Sequence, residues 1–406
     1  MPSSRPAAHH RWRLVVAGGL VMGAAIGIRH VQGLLLTPVT LERGWSRDAF
    51  GLALALQNLV WGLAQPLTGM IADRFGSARV IVAGTLCYAL GLLVMAQATT
   101  TGLFTLGSGI LIGVALSGSA FGAVYGALSR LYPAEQRSWA LGVAGAIGGL
   151  GQFCMVPIAQ GLINGVGWAH ALLTLAVATA LLAPLAGVLR DRPAHAAASG
   201  ETGQTLGAAI REALSHRGFR LLNLGFLACD FQLAFIGAHL PAYLLDHGLT
   251  AKHASIALAN VIGTYGCGHA GGFLRRKSVL SVVYVVRSAA MALFVALPLT
   301  PASVYVFSFA MGLIWLGTVP LTNGLVSQMF GVRYITTLFG FVFFGHQLGG
   351  FFGVWLGGIV FDATPSYDLL WYGSIALGLA AAPLHLPIDD ARVVRSSRPA
   401  PSGIPA

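Results

Sequence analysis

Stretches of about twenty apolar residues, each long enough to cross roughly 30 Å of hydrocarbon as a helix, recur along the whole of this chain. They bracket as 14–38, 50–71, 80–98, 103–129, 139–163 and 168–189, then as 218–245, 253–273, 279–297, 303–329, 336–361 and 368–386. Charged residues make up only 9% of the 406 positions, against roughly 25% in a soluble domain, so no aqueous fold fits. The first apolar run, Leu14 to Leu36, exceeds a signal-peptide core of about 7–15 residues and counts as a helix. The expected fold is an all-α membrane protein of twelve transmembrane helices in two six-helix bundles.

The formal charge of +11 does not point to nucleic acid, because the cations cluster between the apolar runs, where they set topology. One face holds Arg43, Arg47 and Lys252 as its only cations. The other collects the rest outside the bilayer, from Arg5, Arg11 and Arg13 through Arg74, Arg79, Arg130, Arg137, Arg190, Arg192, Arg275, Arg276 and Lys277 to Arg392, Arg395 and Arg398. That face is cytoplasmic by the positive-inside rule, and both termini lie on it. Cys87, Cys154, Cys229 and Cys267 sit in apolar runs without C-x-x-C or His partners and read as packing residues.

Residues 190–217 are the one long linker, beginning Arg190-Asp191-Arg192-Pro193. The expected layout is a cytoplasmic tail over 1–13, a six-helix bundle over 14–189, the cytoplasmic linker 190–217, a second bundle over 218–386 and a disordered tail over 387–406. The halves echo each other. Gly44-Trp45-Ser46 answers Gly248-Leu249-Thr250; Gly113, Gly118 and Ser119 answer Gly312, Gly317 and Thr318; and the run from Gly142 to Gly151 answers that from Gly340 to Gly349. Duplication of this kind marks a two-bundle transporter with the solute path between the bundles. Most of the 54 glycines fall within the apolar runs, where small residues spaced by four let helix backbones approach.

The sharpest motif runs from Gly69 to Arg79, Gly-Met-Ile-Ala-Asp-Arg-Phe-Gly-Ser-Ala-Arg. Gly69 permits close packing where helix two ends, Asp73 and Arg74 place paired charges at the cytoplasmic surface, and Gly76 allows a tight turn. Here the chain resembles the major facilitator superfamily, whose signature in this loop is Gly-x-x-x-Asp-Arg-x-Gly followed by basic residues. The resemblance implies that Asp73 holds the first bundle against a helix of the second and helps set the outward-facing state, with Arg74 and Arg79 orienting the loop. Ser77 and Ala78 depart from the usual basic positions, which weakens the charge clamp. The second-half loop, Gly271 to Lys277, keeps glycines and cations but lacks the Asp. Gly44-Trp45-Ser46-Arg47 together with an Arg in helix one is similar to the monocarboxylate and oxalate/formate carrier branch. Pro157 follows Val156 rather than Gly, unlike the drug-antiporter signature.

Ionisable residues inside a membrane are costly and mark function by default. Arg29 lies about 22 Å along helix one, with Gln32 at i+3, and Asp230 about 17 Å into helix seven. Two readings are open: a site in which Arg29 binds a substrate carboxylate and Asp230 carries a coupling proton, or a structural Arg29–Asp230 ion pair. His346-Gln347 in helix eleven reaches mid-depth, with His346 a second proton candidate. Gln57, Trp61 and Gln65 form one i+4 stripe, Gln152, Gln160 and Asn164 another, suited either to a wet path or to helix–helix bonds. Tyr125 and Asn323 are cavity candidates, since their helices line the path in relatives. His30, His239 and His269 read as structural, and Arg287 as lying on a peripheral helix without substrate contact.

The expected activity is secondary active transport of a small organic anion such as a monocarboxylate, proton-coupled, by alternating access in the cell inner membrane. The alternative is proton-antiport export of amphipathic drugs or metabolites. The expected partners are the solute, protons and lipid, with no nucleic acid, and the chain is expected to act as a monomer. No H-E-x-x-H, G-x-S-x-G, Walker loop or Cys/His cluster supports an enzyme, a cofactor or a metal.

Overall fold

In hydrocarbon every backbone N–H and C=O must find a partner inside its own segment, which selects helices for apolar runs of this length. The computed structural model describes residues 8–191, 204–249 and 254–393, and all regular structure among them is helical. The crossing helices are α1 (Arg11–Arg43, with a 3₁₀ turn at Gln32–Leu35), α2 (Arg47–Phe75), α3 (Ser77–Ala96), α4 (Thr101–Leu131), α5 (134–166) and α6 (167–189). They continue with α7 (Arg217–Asp246), α8 (Ala254–Ala270), α9 (Arg276–Ala296), α10 (Pro301–Phe330), α11 (Ile335–Ala363) and α12 (Asp368–His385). These make twelve crossings among the described residues, so both described ends share the cation-rich, cytoplasmic face.

Local chemistry sets the ends. Ser46 and Thr100 cap α2 and α4 by accepting from Ala49 N and Leu103 N, and Thr300 forms a capping box with Ser303 ahead of α10. No polar loop separates α5 from α6. Gly167 makes the corner, at φ 79° and ψ 163°, a conformation L side chains rarely adopt.

The two halves pack by the same rule. α1 lies on α5 and α7 on α11 through glycine contacts: a Cβ on Gly151 would meet Gly23 backbone at 2.6 Å, and one on Gly349 would meet Leu227 O at 2.0 Å. Between halves, α2 crosses α11 and α5 crosses α8. Gly69 abuts the Thr336–Thr337 backbone and Gly142 that of Gly268, both toward the cytoplasmic side.

A short helix, Leu206–Ser215, follows the part of the linker outside the described residues and rests on Ala209 and Ala213, both buried. The tail boundary expected at 387 does not mark the end of packing. Ile388 is fully buried, Val393 N donates to Met329 O at 2.9 Å, and Asp390 accepts from Arg275 at 2.6 Å. Residues 394–406 lie outside the described residues, as do Arg5, Arg192, Thr250 and Lys252 and the side chain of Arg47.

Candidate functional site: a cavity between the bundles

A cavity of about 380 Å³ opens between the bundles in the half of the molecule nearer the external face. α1, α2, α4 and α5 supply one wall and α7, α10 and α11 the other. Its polar lining is Arg29, His30, Gln57, Asn58 and Gln152 opposite Asp230, His346 and Gln347. Apolar and aromatic surface fills the rest, with Trp61, Phe121, Trp315 and Phe343 prominent. Few polar groups on a mostly apolar surface suit a small solute.

Arg29 sits on the first-half wall. Its guanidinium lies 5.1 Å from the centre of the Trp61 ring and donates to Asn58 Oδ1, while its Nε has no partner. Among the described residues it forms no ion pair. Gln57, one turn before Trp61, donates to Gln32 Oε1 at 3.0 Å and to Ser108 O at 2.7 Å. Gln32 therefore stands behind the wall rather than in it.

On the facing wall Asp230 Oδ2 lies 3.2 Å from His346 Nδ1. Of the two readings open for Arg29 and Asp230, the structural pair has no direct contact behind it: the carboxylate of Asp230 lies against His346 instead. The His346 ring is held between Phe226, at 4.2 Å, and Phe343, stacked at 5.2 Å. Gly350 leaves the space that Asp230 occupies, since a Cβ there would come within 2.2 Å of Oδ2. Asn223, a heptad before Asp230, bonds Phe341 O, and Gly237, a heptad after, lines the cavity.

Trp61, Phe343 and Phe121 close the floor, with ring centres 5.0 Å and 6.2 Å apart in sequence. Tyr125 and Asn323 lie one helical turn deeper than the lining residues Phe121 and Val319 and do not line the cavity. Tyr125 is fully buried against Gly145, and Asn323 Oδ1 accepts from Ser129 Oγ at 2.9 Å, joining α10 to α4. Both belong to the seal beneath the site, not to its wall. His30 lines the cavity instead of standing apart, whereas His239 bonds Val354 O and His269 stacks on Tyr265.

Below the seal the motif loop latches the bundles. Asp73 accepts from Thr337 N and Thr337 Oγ1, each at 2.7 Å, and from Thr336 N at 3.2 Å, so a first-half carboxylate caps the N-terminus of α11. Arg130, at the end of α4, pairs with Asp73 at 2.7 Å and with Asp191 at 2.6 Å and donates to Ser77 Oγ at 2.5 Å. Asp191 in turn accepts from Ser77 N and Oγ at the start of α3. The expected orienting cations are elsewhere: Arg74 lies over Phe75 and Arg79 is exposed. Arg130 and Asp191 do that work, at positions 57 and 118 residues from Asp73, a pairing that sequence separation concealed although both charges flank apolar runs. Gly76, at φ 95°, turns the chain from α2 into α3.

The second half closes without a carboxylate across the interface. Arg276 donates to Ser138 Oγ at 2.6 Å, and Ser138 donates to Gly271 O at 3.0 Å, joining α5 to the loop after α8. Asp390 takes the place after α12 that Asp191 takes after α6. The Arg275 guanidinium bonded to it holds its carboxyl below the usual Asp range.

Two helix bundles related by duplication, with a cavity at their interface open to one face and latched at the other, have the architecture of a transporter. The sequence pattern of the Major Facilitator Superfamily matches residues 15–354, and the chain belongs to that family; it is a transporter and not an enzyme. It is 27% identical to mouse monocarboxylate transporter 11, over 90% of this chain and 85% of that protein. It is 24% identical to the oxalate:formate antiporter of Oxalobacter formigenes, over 86% of this chain and 85% of that one. The fold matches that of the Escherichia coli fucose:proton symporter FucP at a TM-score of 0.70 and 15% identity, over 92% of this chain and 98% of that chain.

Proposed function

We propose that this chain carries a small organic anion such as a monocarboxylate together with a proton, by alternating access, in the cell inner membrane, acting as a monomer. The observation that carries the reading is Arg29, a cation in the cavity wall with only a neutral amide and an indole face as partners. A guanidinium in that setting retains donors and charge for a carboxylate, which it can bind through two parallel bonds.

Charge accounting supplies the coupling. With one proton shared between Asp230 and His346, the lining around Arg29 carries one net positive charge. With that proton gone, Asp230 cancels Arg29 electrostatically across the cavity. Protonation therefore favours anion entry, and a bound anion favours the proton, a reciprocal linkage. The likeness to a monocarboxylate transporter and an oxalate:formate antiporter supports an anionic solute.

Uptake of labelled lactate, pyruvate, formate and oxalate into proteoliposomes under an imposed inward proton gradient tests the reading. At least one anion enters faster with the gradient than without it, and Arg29→Ala lowers its uptake by about ten- to a hundredfold, the loss of a charge-assisted contact of about 1.5–3 kcal/mol. Gradient-independent uptake would remove the coupling, and unimpaired Arg29→Ala would remove the ligand assignment.

A further inference from the structure

α10 is not continuous. Its two helical parts, Pro301–Leu313 and Thr318–Phe330, are separated by residues 314–317, and Trp315 and Leu316 of that break line the cavity. Pro320 contributes to it from the far side. Pro320 has no N–H to give to the carbonyl four residues back, Leu316, and its ring crowds that carbonyl. Leu316 O takes the N–H of Val319 instead, at 3.1 Å, which withdraws the helical donor of Trp315 O, and the carbonyls of Ile314 and Trp315 are left to find partners in a water-poor interior.

Arg287 of α9 finds them. Its guanidinium is fully buried, donates to Ile314 O at 2.5 Å and Trp315 O at 3.3 Å, and reaches Cys229 Sγ of α7 at 3.2 Å. Among the described residues it has no carboxylate partner. On the other side of the break Asn260 Oδ1 of α8 accepts from Leu316 N at 3.1 Å, and Asn260 Nδ2 faces Gln152 of α5 at 3.4 Å. The first half provides a comparison within the same chain: α4 also breaks, at Ala120, and there neutral Gln65 donates to Ser117 O. A buried cation is therefore not what such a break needs in general. It is a feature of this one, where the broken segment forms the cavity wall.

We infer that Arg287 is a positioning residue: it holds the α10 break open from inside the second bundle and so fixes where Trp315 and Leu316 face the solute. It does not touch the cavity itself, and the inference goes beyond the transport reading, because it requires no particular solute. Without Arg287, α-helical register offers the freed carbonyls the N–H groups of Thr318 and of Val319, the latter given up by Leu316 O. Taking them continues the helix as far as Pro320 and turns Leu316 away from the opening.

The test is site-specific thiol labelling of intact cells with a membrane-impermeant maleimide, counted peptide by peptide by mass spectrometry so that the native cysteines stay in place. Leu316→Cys reports the break and Ala238→Cys, on α7 of the same cavity, is the reference. Arg287→Met lowers labelling at 316 relative to 238 by about tenfold, and Arg287→Lys, a point charge that serves one carbonyl rather than two, by about threefold. If Arg287→Met fails to reach the membrane, Arg287→Lys decides alone. An unchanged ratio, or an equal fall at both positions, overturns the inference.

Discussion

A half-buried arginine facing a carboxylate across a membrane cavity invites the reading of an ion pair, and the residue geometry decides against it. Asp230 is occupied by His346, itself fixed between two phenylalanine rings, while Arg29 is steadied by Asn58 and Trp61. The two charges are thus free to act in different steps. Replacing Asp230 by Asn keeps the shape and removes the carboxylate. In proteoliposomes the uptake rate then no longer follows the proton gradient, while anion exchange between equal pools persists. Retention of gradient-driven uptake in Asp230→Asn would assign the proton elsewhere. Arg29, Asp230 and His346 all face the cavity, as cost dictates, since an ionisable group in an apolar run has few places to go. Tyr125 and Asn323 were misplaced because choosing a helix does not choose a depth, and one turn of about 5.4 Å separates the wall from the seal.

At the scale of elements, hydropathy and glycine spacing carry most of the architecture, while breaks inside helices stay hidden. That helices approach through small residues was legible in the glycine spacing, because close backbone approach leaves no room for side chains, but which helices pair, α1 with α5 and α7 with α11, was not. The interruptions of α4 at Ala120 and of α10 at 314–317 were not, since their apolar sequence continues through them and only tertiary partners such as Arg287 and Gln65 hold them. Arg130 and Asp191 were missed for a related reason: each reads alone as a topology charge, and only the fold joins them. The glycine contacts make a direct prediction. Gly349→Val puts a branched side chain where a single Cβ already lies 2.0 Å from Leu227 O, a backbone atom that cannot step aside. Overpacking of this kind costs about 1–3 kcal/mol. The variant therefore melts several degrees below the parent in detergent, whereas Gly358→Ala on the same helix, with open space at its Cβ, melts unchanged.

For the whole molecule, the question is what keeps the cavity open on one side only. Toward the cytoplasm the bundles meet in three bonded layers: Ser129 with Asn323, Asp73 and Arg130 with the start of α11, and Ser138 with Arg276 and Gly271. The middle layer alone carries a carboxylate across the interface, with three bonds to it from Thr336 and Thr337, whereas Arg276 crosses to Ser138 through a single bond and the second-half loop has no counterpart to Asp73. Neutralising it should therefore shift the equilibrium between facing states more than any change in the other two. Asp73→Asn weakens the bonds to Thr336 and Thr337 and leaves Asp191 as the one carboxylate on Arg130 among the described residues. With charge-assisted bonds contributing about 1.5–3 kcal/mol, the closed-to-open ratio at the cytoplasmic side moves by about tenfold or more. Spin labels at Arg79→Cys on the first bundle and Phe273→Cys on the second, both exposed at that face, report the distance between the bundles there. In the parent the distribution has one short component; in Asp73→Asn a longer component gains population, and Ser138→Ala changes it less. An unaltered distribution in Asp73→Asn would mean that the helix-packing contacts at Gly69 and Gly142, not the charges, hold the cytoplasmic side shut.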